Sequence, residues 1–193
     1  MRAFIPTVMM TAAAAVVAAA VAGTTTSAAP RGLDRAAQVA RGAYLVSIAG
    51  CHDCHTPWVV GPKGPHADMT RALIGHPQDV KIAEPPKMGE GPWVWAGAGT
   101  NTAFAGPWGI SFTANLTPDP ETGLGKWTEE MFIATIRTGR HQGVGRPVLP
   151  PMPVQVYANM TDDDLKSVFA YLQSLTPVRN RVPAPIDPPE ESR

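Results

Sequence analysis

Cysteine is nearly absent from this chain: Cys51 and Cys54 are the two in 193 residues. Half of a zinc site could be built from such a pair, but completing four-coordination needs two His at suitable spacing, and none is evident. An excess of charge is also missing. Sixteen Lys and Arg balance sixteen Asp and Glu, which gives no support for nucleic-acid binding or for strong electrostatic steering. Long apolar runs are confined to the N-terminus, where Arg2 precedes an Ala-rich stretch from about Val8 to Ala22. That stretch is shorter than the ~20 residues a membrane span needs and is mostly weakly hydrophobic Ala. With small residues ending at Ala22 and again at Ala29, it reads as a cleaved secretory signal peptide, residues 1–29. The expected address is the bacterial periplasm, with no transmembrane span in the mature chain. Cleavage after Ala29 would leave 164 residues, 193 less 29, the length of a single domain.

What the chain does have is Cys51-His52-Asp53-Cys54-His55. A C-x-x-C-H run reads as a c-type haem attachment site. Two thiols at this spacing can add to the vinyl groups on one edge of a porphyrin, and the adjacent imidazole of His55 can bind the iron. One covalent haem would account for both cysteines in an oxidising compartment. Two competing readings fit less well. A thioredoxin-like pair expects a βαβ setting, whereas helix precedes Cys51 and loop is expected after it. A structural disulfide closing so short a loop gains little and leaves His55 unexplained.

Asp34 is a good N-cap for a first helix running to about Ala49. Gly42 inside it costs near 1 kcal/mol relative to Ala, so either another backbone passes close there or an exposed Gly is tolerated. Residues 57–125 form a long insertion with 11 Gly and 10 Pro in 69 positions, a density that favours turns over long elements. Trp58, Trp93, Trp95, Phe104, Trp108, Ile110 and Phe112 still demand burial, so the insertion is not of disordered composition. A small β-hairpin is permitted by Trp93-Val94-Trp95, the turn Gly97-Ala98-Gly99, and Thr102 to Phe104.

Thr128, followed by Glu129 and Glu130, caps a short helix with Phe132, Ile133 and Ile136 on its apolar face and Gly139 as its stop. Trp127, just ahead of that cap, is expected to pack in the core. Thr161 with Asp162, Asp163 and Asp164 opens the clearest helix, whose apolar face is Leu165, Val168, Phe169, Leu172 and Leu175. The Pro-rich tail, 177–193, is expected to be extended and loosely held.

Iron held by His55 alone would keep an open axial position, and its occupant separates an electron carrier from small-molecule chemistry. The best candidate is Met152 in Leu149-Pro150-Pro151-Met152-Pro153. Three flanking prolines restrict φ and lower the entropy lost in holding a Met side chain there. Among the other methionines, Met131 lies inside a helix, Met160 abuts an N-cap, and Met69 and Met88 fall in the insertion. His141 is the runner-up ligand. Lone His residues such as His52, His66 and His76 read as surface positions.

Taken in order, the C-x-x-C-H run with Thr56-Pro57, Asn115-Leu116-Thr117-Pro118-Asp119-Pro120-Glu121-Thr122-Gly123-Leu124-Gly125-Lys126-Trp127, Arg137-Thr138-Gly139-Arg140, Pro150-Pro151-Met152-Pro153 and the closing helix resemble class I c-type cytochromes. More narrowly, they resemble the haem domains of cytochrome c subunits that accompany bacterial periplasmic alcohol, aldehyde and molybdenum hydroxylase-type dehydrogenases. The resemblance implies a mainly α, class I cytochrome c-like haem domain over residues 30–176, interrupted by the 57–125 insertion. It also implies an electron carrier with His55 and Met152 as axial ligands and no catalytic residues. The single attachment motif implies one haem c. The expected donor is a periplasmic dehydrogenase and the acceptor another cytochrome or a terminal oxidase. The alternative is a haem enzyme or gas sensor with an open, peroxidase-like distal site.

Overall fold

The computed structural model describes residues 33–82, 84 and 91–188. The N-terminal segment with both cleavage positions, Met88 and the last five residues of the tail lie outside the described residues.

Helix α1 spans Arg35–Ile48, and the Asp34 carboxylate accepts from the Ala37 amide at 2.8 Å. That bond satisfies one of the amides a helix start leaves unpaired. Helix α2, Cys51–His55, follows at once. The attachment motif is therefore a helical turn, where loop was expected after Cys51. Gly50 turns the chain between the two helices at φ 70°, a backbone region that favours glycine.

The insertion holds the main departure from expectation. Strands β1 (Trp58–Gly61) and β2 (Gly64–Ala67) form one antiparallel pair. Strands β3 (Ala96–Gly97), β4 (Ala103–Gly106) and β5 (Gly109–Phe112) form a second sheet in that order. Pairing of β3 with β4 gives the expected hairpin, displaced past Trp95 to Ala96↔Ala105 and Gly97↔Phe104. About 35% of the described residues are helical and 14% are in strands. The mainly α, class I cytochrome c-like fold class is thus corrected to a mixed architecture of helices and two small sheets. The reason is local: Gly61 faces Gly64 across Pro62-Lys63, and Gly106 faces Gly109 across Pro107-Trp108. At these corners the Gly and Pro residues close two-residue hairpins between four-residue strands.

Helix α3 (Glu129–Thr138) is capped by Thr128 and stopped by Gly139 at φ 65°. A four-residue helix, α4 (Val154–Tyr157), precedes α5 (Asp162–Ser174), whose N-cap Thr161 accepts from the Asp164 amide at 3.1 Å. Arg137 ties α3 to this region through the carbonyls of Ala158 and Met160 and an ion pair with Asp162 at 2.6 Å.

Packing of α1 against α5 forms the core: Leu45 and Val46 meet Leu165, Val168, Phe169 and Leu172, with Phe132 and Ile136 of α3, Leu73 and Leu124 closing round them. A Cβ at Gly42 would lie 1.9 Å from the Ser167 carbonyl oxygen. Another backbone does pass there.

As far as residue 188 the tail is extended but not loosely held. Val178 donates from its amide to Thr117 Oγ1 at 3.1 Å, and the Asn180 side chain donates to the carbonyls of Ile74 and His76 at 2.7 and 2.9 Å. Ile186 pairs with Ile110 of β5 through bonds of 2.8 and 3.0 Å in opposite senses. Pro-rich composition leaves enough N–H and side-chain groups for these links, which a compositional reading does not see.

Candidate cofactor site

A cavity of about 210 Å³ opens among the C-terminal end of α1, the motif helix α2, α3, the 148–153 loop and the inner face of α5. Its wall is almost wholly apolar: Leu45, Val46, Leu116, Phe132, Leu165 and Val168 among others. Cys51, Cys54, His55 and Met152 all face it, although 97 positions separate His55 from Met152 (55 to 152). His141 faces it as well.

Cys51 and Cys54 are free thiols. Burial pushes Cys51 up to about 11, with the Asp53 carboxylate adding to the effect, and burial likewise raises Cys54. Both are neutral at ordinary pH, the opposite of the activated thiolate a redox pair of the thioredoxin kind presents.

His55 is buried, and its Nδ1 stands 2.8 Å from the Ala114 carbonyl oxygen. A carbonyl only accepts, so the proton sits on Nδ1 and Nε2 keeps its lone pair. Burial holds the ring below its usual pKa, and the Ala114 bond opposes that shift. The His55 backbone is fixed too, its carbonyl accepting from the Gly75 amide at 2.8 Å. His52, by contrast, bonds Thr56 Oγ1 at 2.9 Å, and Asn101 reaches from the insertion to the Asp53 carbonyl at 2.7 Å.

Met152 is half-buried and lines the same cavity. His141 lies edge-on to Trp127, ring centroids 4.9 Å apart at 87°. Trp127 packs against the core and also lines the cavity. Met131 and Met69 are exposed, and Met160 reaches the cavity wall beside α5. His76 is not a surface residue. It is fully buried, with Nε2 donating to the Val80 carbonyl at 3.0 Å and Nδ1 accepting from Thr102 Oγ1 at 2.9 Å. Among the described residues no group of three or more His, Cys, Asp or Glu is arranged to hold a bare metal ion.

The donor set fits a tethered haem. An imidazole nitrogen left free by a bond on its other nitrogen is the form that binds iron. Two thiols lie on the same short helix, and the walls present hydrocarbon to a flat apolar ring. Ala114 and Ser111, both facing the cavity, carry no signal in the sequence that points to a site. Ala114 acts through its backbone, which no side-chain pattern reveals.

Comparison with known proteins follows the same line. No family profile matches the chain. Over 150 residues, 77% of its length, it is 29% identical to the cytochrome c subunit of a quinone alcohol dehydrogenase from Gluconobacter oxydans. Over 143 residues, 74% of its length, it is 29% identical to the cytochrome c subunit of gluconate 2-dehydrogenase from Pantoea cypripedii. The chain is similar to cytochrome c subunits of bacterial dehydrogenases. A shorter stretch, 78 residues or 40% of the chain, is 41% identical to a nicotinate dehydrogenase subunit from Pseudomonas putida. These relatives are much longer: the chain spans 24% of each of the two cytochrome subunits and 6% of the nicotinate dehydrogenase subunit. Among the described residues no helix is long and apolar enough to cross a membrane.

Proposed function

We propose that the chain is a one-haem c-type cytochrome unit that carries single electrons from a periplasmic dehydrogenase to a further cytochrome or a terminal oxidase. Cys51 and Cys54 tether the haem, and His55 and Met152 are its axial ligands. Residues 1–29 direct export and are removed, and 30–176 form the haem-bearing unit. The observation that carries the reading is the convergence of both thiols, the free Nε2 of His55 and the Met152 thioether on one apolar cavity. The similarity to dehydrogenase cytochrome c subunits supports haem c and an electron-transfer role rather than catalysis.

Bound haem supplies a one-electron ferric–ferrous couple. The chain's own residues set its working conditions. Ala114 holds the Nδ1 proton, so His55 keeps one tautomer and one ring orientation and gains basicity at Nε2. A thioether donor on the other side favours the reduced state, raising the potential relative to a second His. The hydrocarbon wall of Leu45, Val46, Phe132 and Val168 limits water and acts in the same direction.

Acid–acetone extraction of the exported protein, followed by denaturing electrophoresis and haem staining, tests the assignment. A stained band at the chain's mass is expected, and a colourless band would sink it. The visible spectrum separates the carrier from an open-site enzyme or sensor: a carrier is low-spin and slow to bind carbon monoxide, while an open site is high-spin and binds it readily.

A further inference from the structure

Ser111 sits on β5, inside the Gly/Pro-rich insertion, and is 7% exposed. Its hydroxyl donates to the Pro150 carbonyl oxygen at 2.6 Å, with the Phe104 carbonyl at 3.3 Å as a weaker second acceptor. One O–H makes one good hydrogen bond, and the shorter contact takes it. The bond joins segments 39 positions apart and lands two residues before Met152.

The 148–153 loop has few other ways of being held. Pro150, Pro151 and Pro153 carry no N–H, so across this stretch the carbonyls are the main handles. Upstream, the Val148 amide bonds the Gly139 carbonyl at 2.8 Å; downstream, the Met152 carbonyl accepts only from Val154, within its own turn, at 2.9 Å. Among the described residues the Ser111 bond alone ties the backbone between Val148 and Met152 to another part of the chain. The strand that carries Ser111 is itself held on both edges, by β4 and by the Ile110–Ile186 bridge.

We infer that Ser111 is a positioning residue for the distal ligand: through its bond to Pro150 the insertion sheet fixes the loop that presents Met152 to the cavity. This rests on Met152 as the sixth ligand. It gives the insertion a purpose at the site, since a thioether is a weak ligand whose occupancy depends on how well its loop is held in place.

Imidazole titration of the ferric holoprotein tests the inference, because imidazole competes with Met152 for iron and reports how firmly the loop is held. Ser111→Ala should retain its covalent haem and raise imidazole affinity by roughly three- to tenfold, the equilibrium factor of one lost hydrogen bond. Ser111→Thr keeps a hydroxyl and should titrate like the wild type. Ser167→Ala, which removes another buried hydroxyl bonded within α5, should also leave the affinity unmoved. Should Ser111→Ala give no soluble holoprotein, Ser111→Cys replaces the donor by a weak one and should show the raised affinity. Wild-type affinity in Ser111→Ala or Ser111→Cys would overturn the inference, and so would raised affinity in Ser111→Thr. A wild-type ferric spectrum lacking the charge-transfer band of an iron–thioether bond would overturn the Met152 assignment itself, with this inference falling alongside it.

Discussion

Gly42 of α1 lies directly against the Ser167 carbonyl of α5, so close that a Cβ there would stand 1.9 Å from the oxygen and 2.7 Å from Tyr171 Cβ. Backbone meets backbone at this crossing, and no rotamer change can relieve the clash. Gly42→Ala must push the two helices apart along the seam that holds Leu45, Val46, Leu165 and Val168. The expected loss is about 1–3 kcal/mol, despite the better helix propensity of Ala. Urea unfolding checks it, and an unchanged or raised midpoint would contradict the close approach.

Met152→Ala should alter the iron more than the fold. Haem would remain held by two thioether bonds and His55, so the holoprotein should assemble. Its ferric form should lose the iron–thioether charge-transfer band and become high-spin or water-ligated, with a lower reduction potential. Met131→Ala, at an exposed helical position, should keep the band. Persistence of band and potential in Met152→Ala would move the assignment to another methionine, whereas a wild-type ferric form without the band would point to His141.

Acid should weaken the fold through His76. Burial holds its pKa below the ordinary value, while the unfolded chain titrates near ~6.5. Below that pH the unfolded state binds a proton that the folded state resists, so stability is full above about pH 6.5 and declines as pH falls toward the folded pKa. Unfolding midpoints measured from neutral pH down to about 5 should fall, and His76→Gln should show a shallower slope even if it starts lower. His52 and His141, also depressed by burial, leave a residual slope. An unaltered slope in His76→Gln would remove His76 from the account.

Asn180→Ala should release the tail. The side chain donates to two buried carbonyls and accepts from the Gln78 amide at 2.9 Å, and truncation leaves all three unpaired. A cost of about 2–4 kcal/mol is expected, together with protease cleavage after Leu175 under conditions where the wild type is intact. Equal resistance to protease would show that the remaining links, Val178 to Thr117 and Ile186 to Ile110, hold the segment without the Asn180 side chain.

The helices were legible because their ends are written in side chains: Asp34, Thr128 and Thr161 each accept the amide bond their position promised. Gly42 was half-legible, since sequence marks the anomaly but not which backbone approaches. Of the sheets only the β3–β4 hairpin was legible, and it was placed a little too early in the chain. Strands of two to four residues carry too few alternations to register, and Gly61, Gly64, Gly106 and Gly109 read equally well as irregular loop. At the cavity, Cys51, Cys54 and His55 stood out by type and spacing and Met152 by its flanking prolines, and all four line it, whereas Ala114 contributes a carbonyl that any residue has. Ser111 was hidden for a similar reason: its acceptor lies in a proline loop 39 positions away.

The pairing of Gly42 with Ser167 also sets an order of events during synthesis. These residues lie 125 positions apart (42 to 167), so α1 and the motif behind it emerge well before α5 exists. At about 5–20 residues per second, that interval is roughly 6–25 s. Throughout it Cys51 lacks the α5 part of the core cluster it finally packs against. The thiol is thus most open to covalent chemistry before α5 docks, and packing of that helix completes the wall behind it.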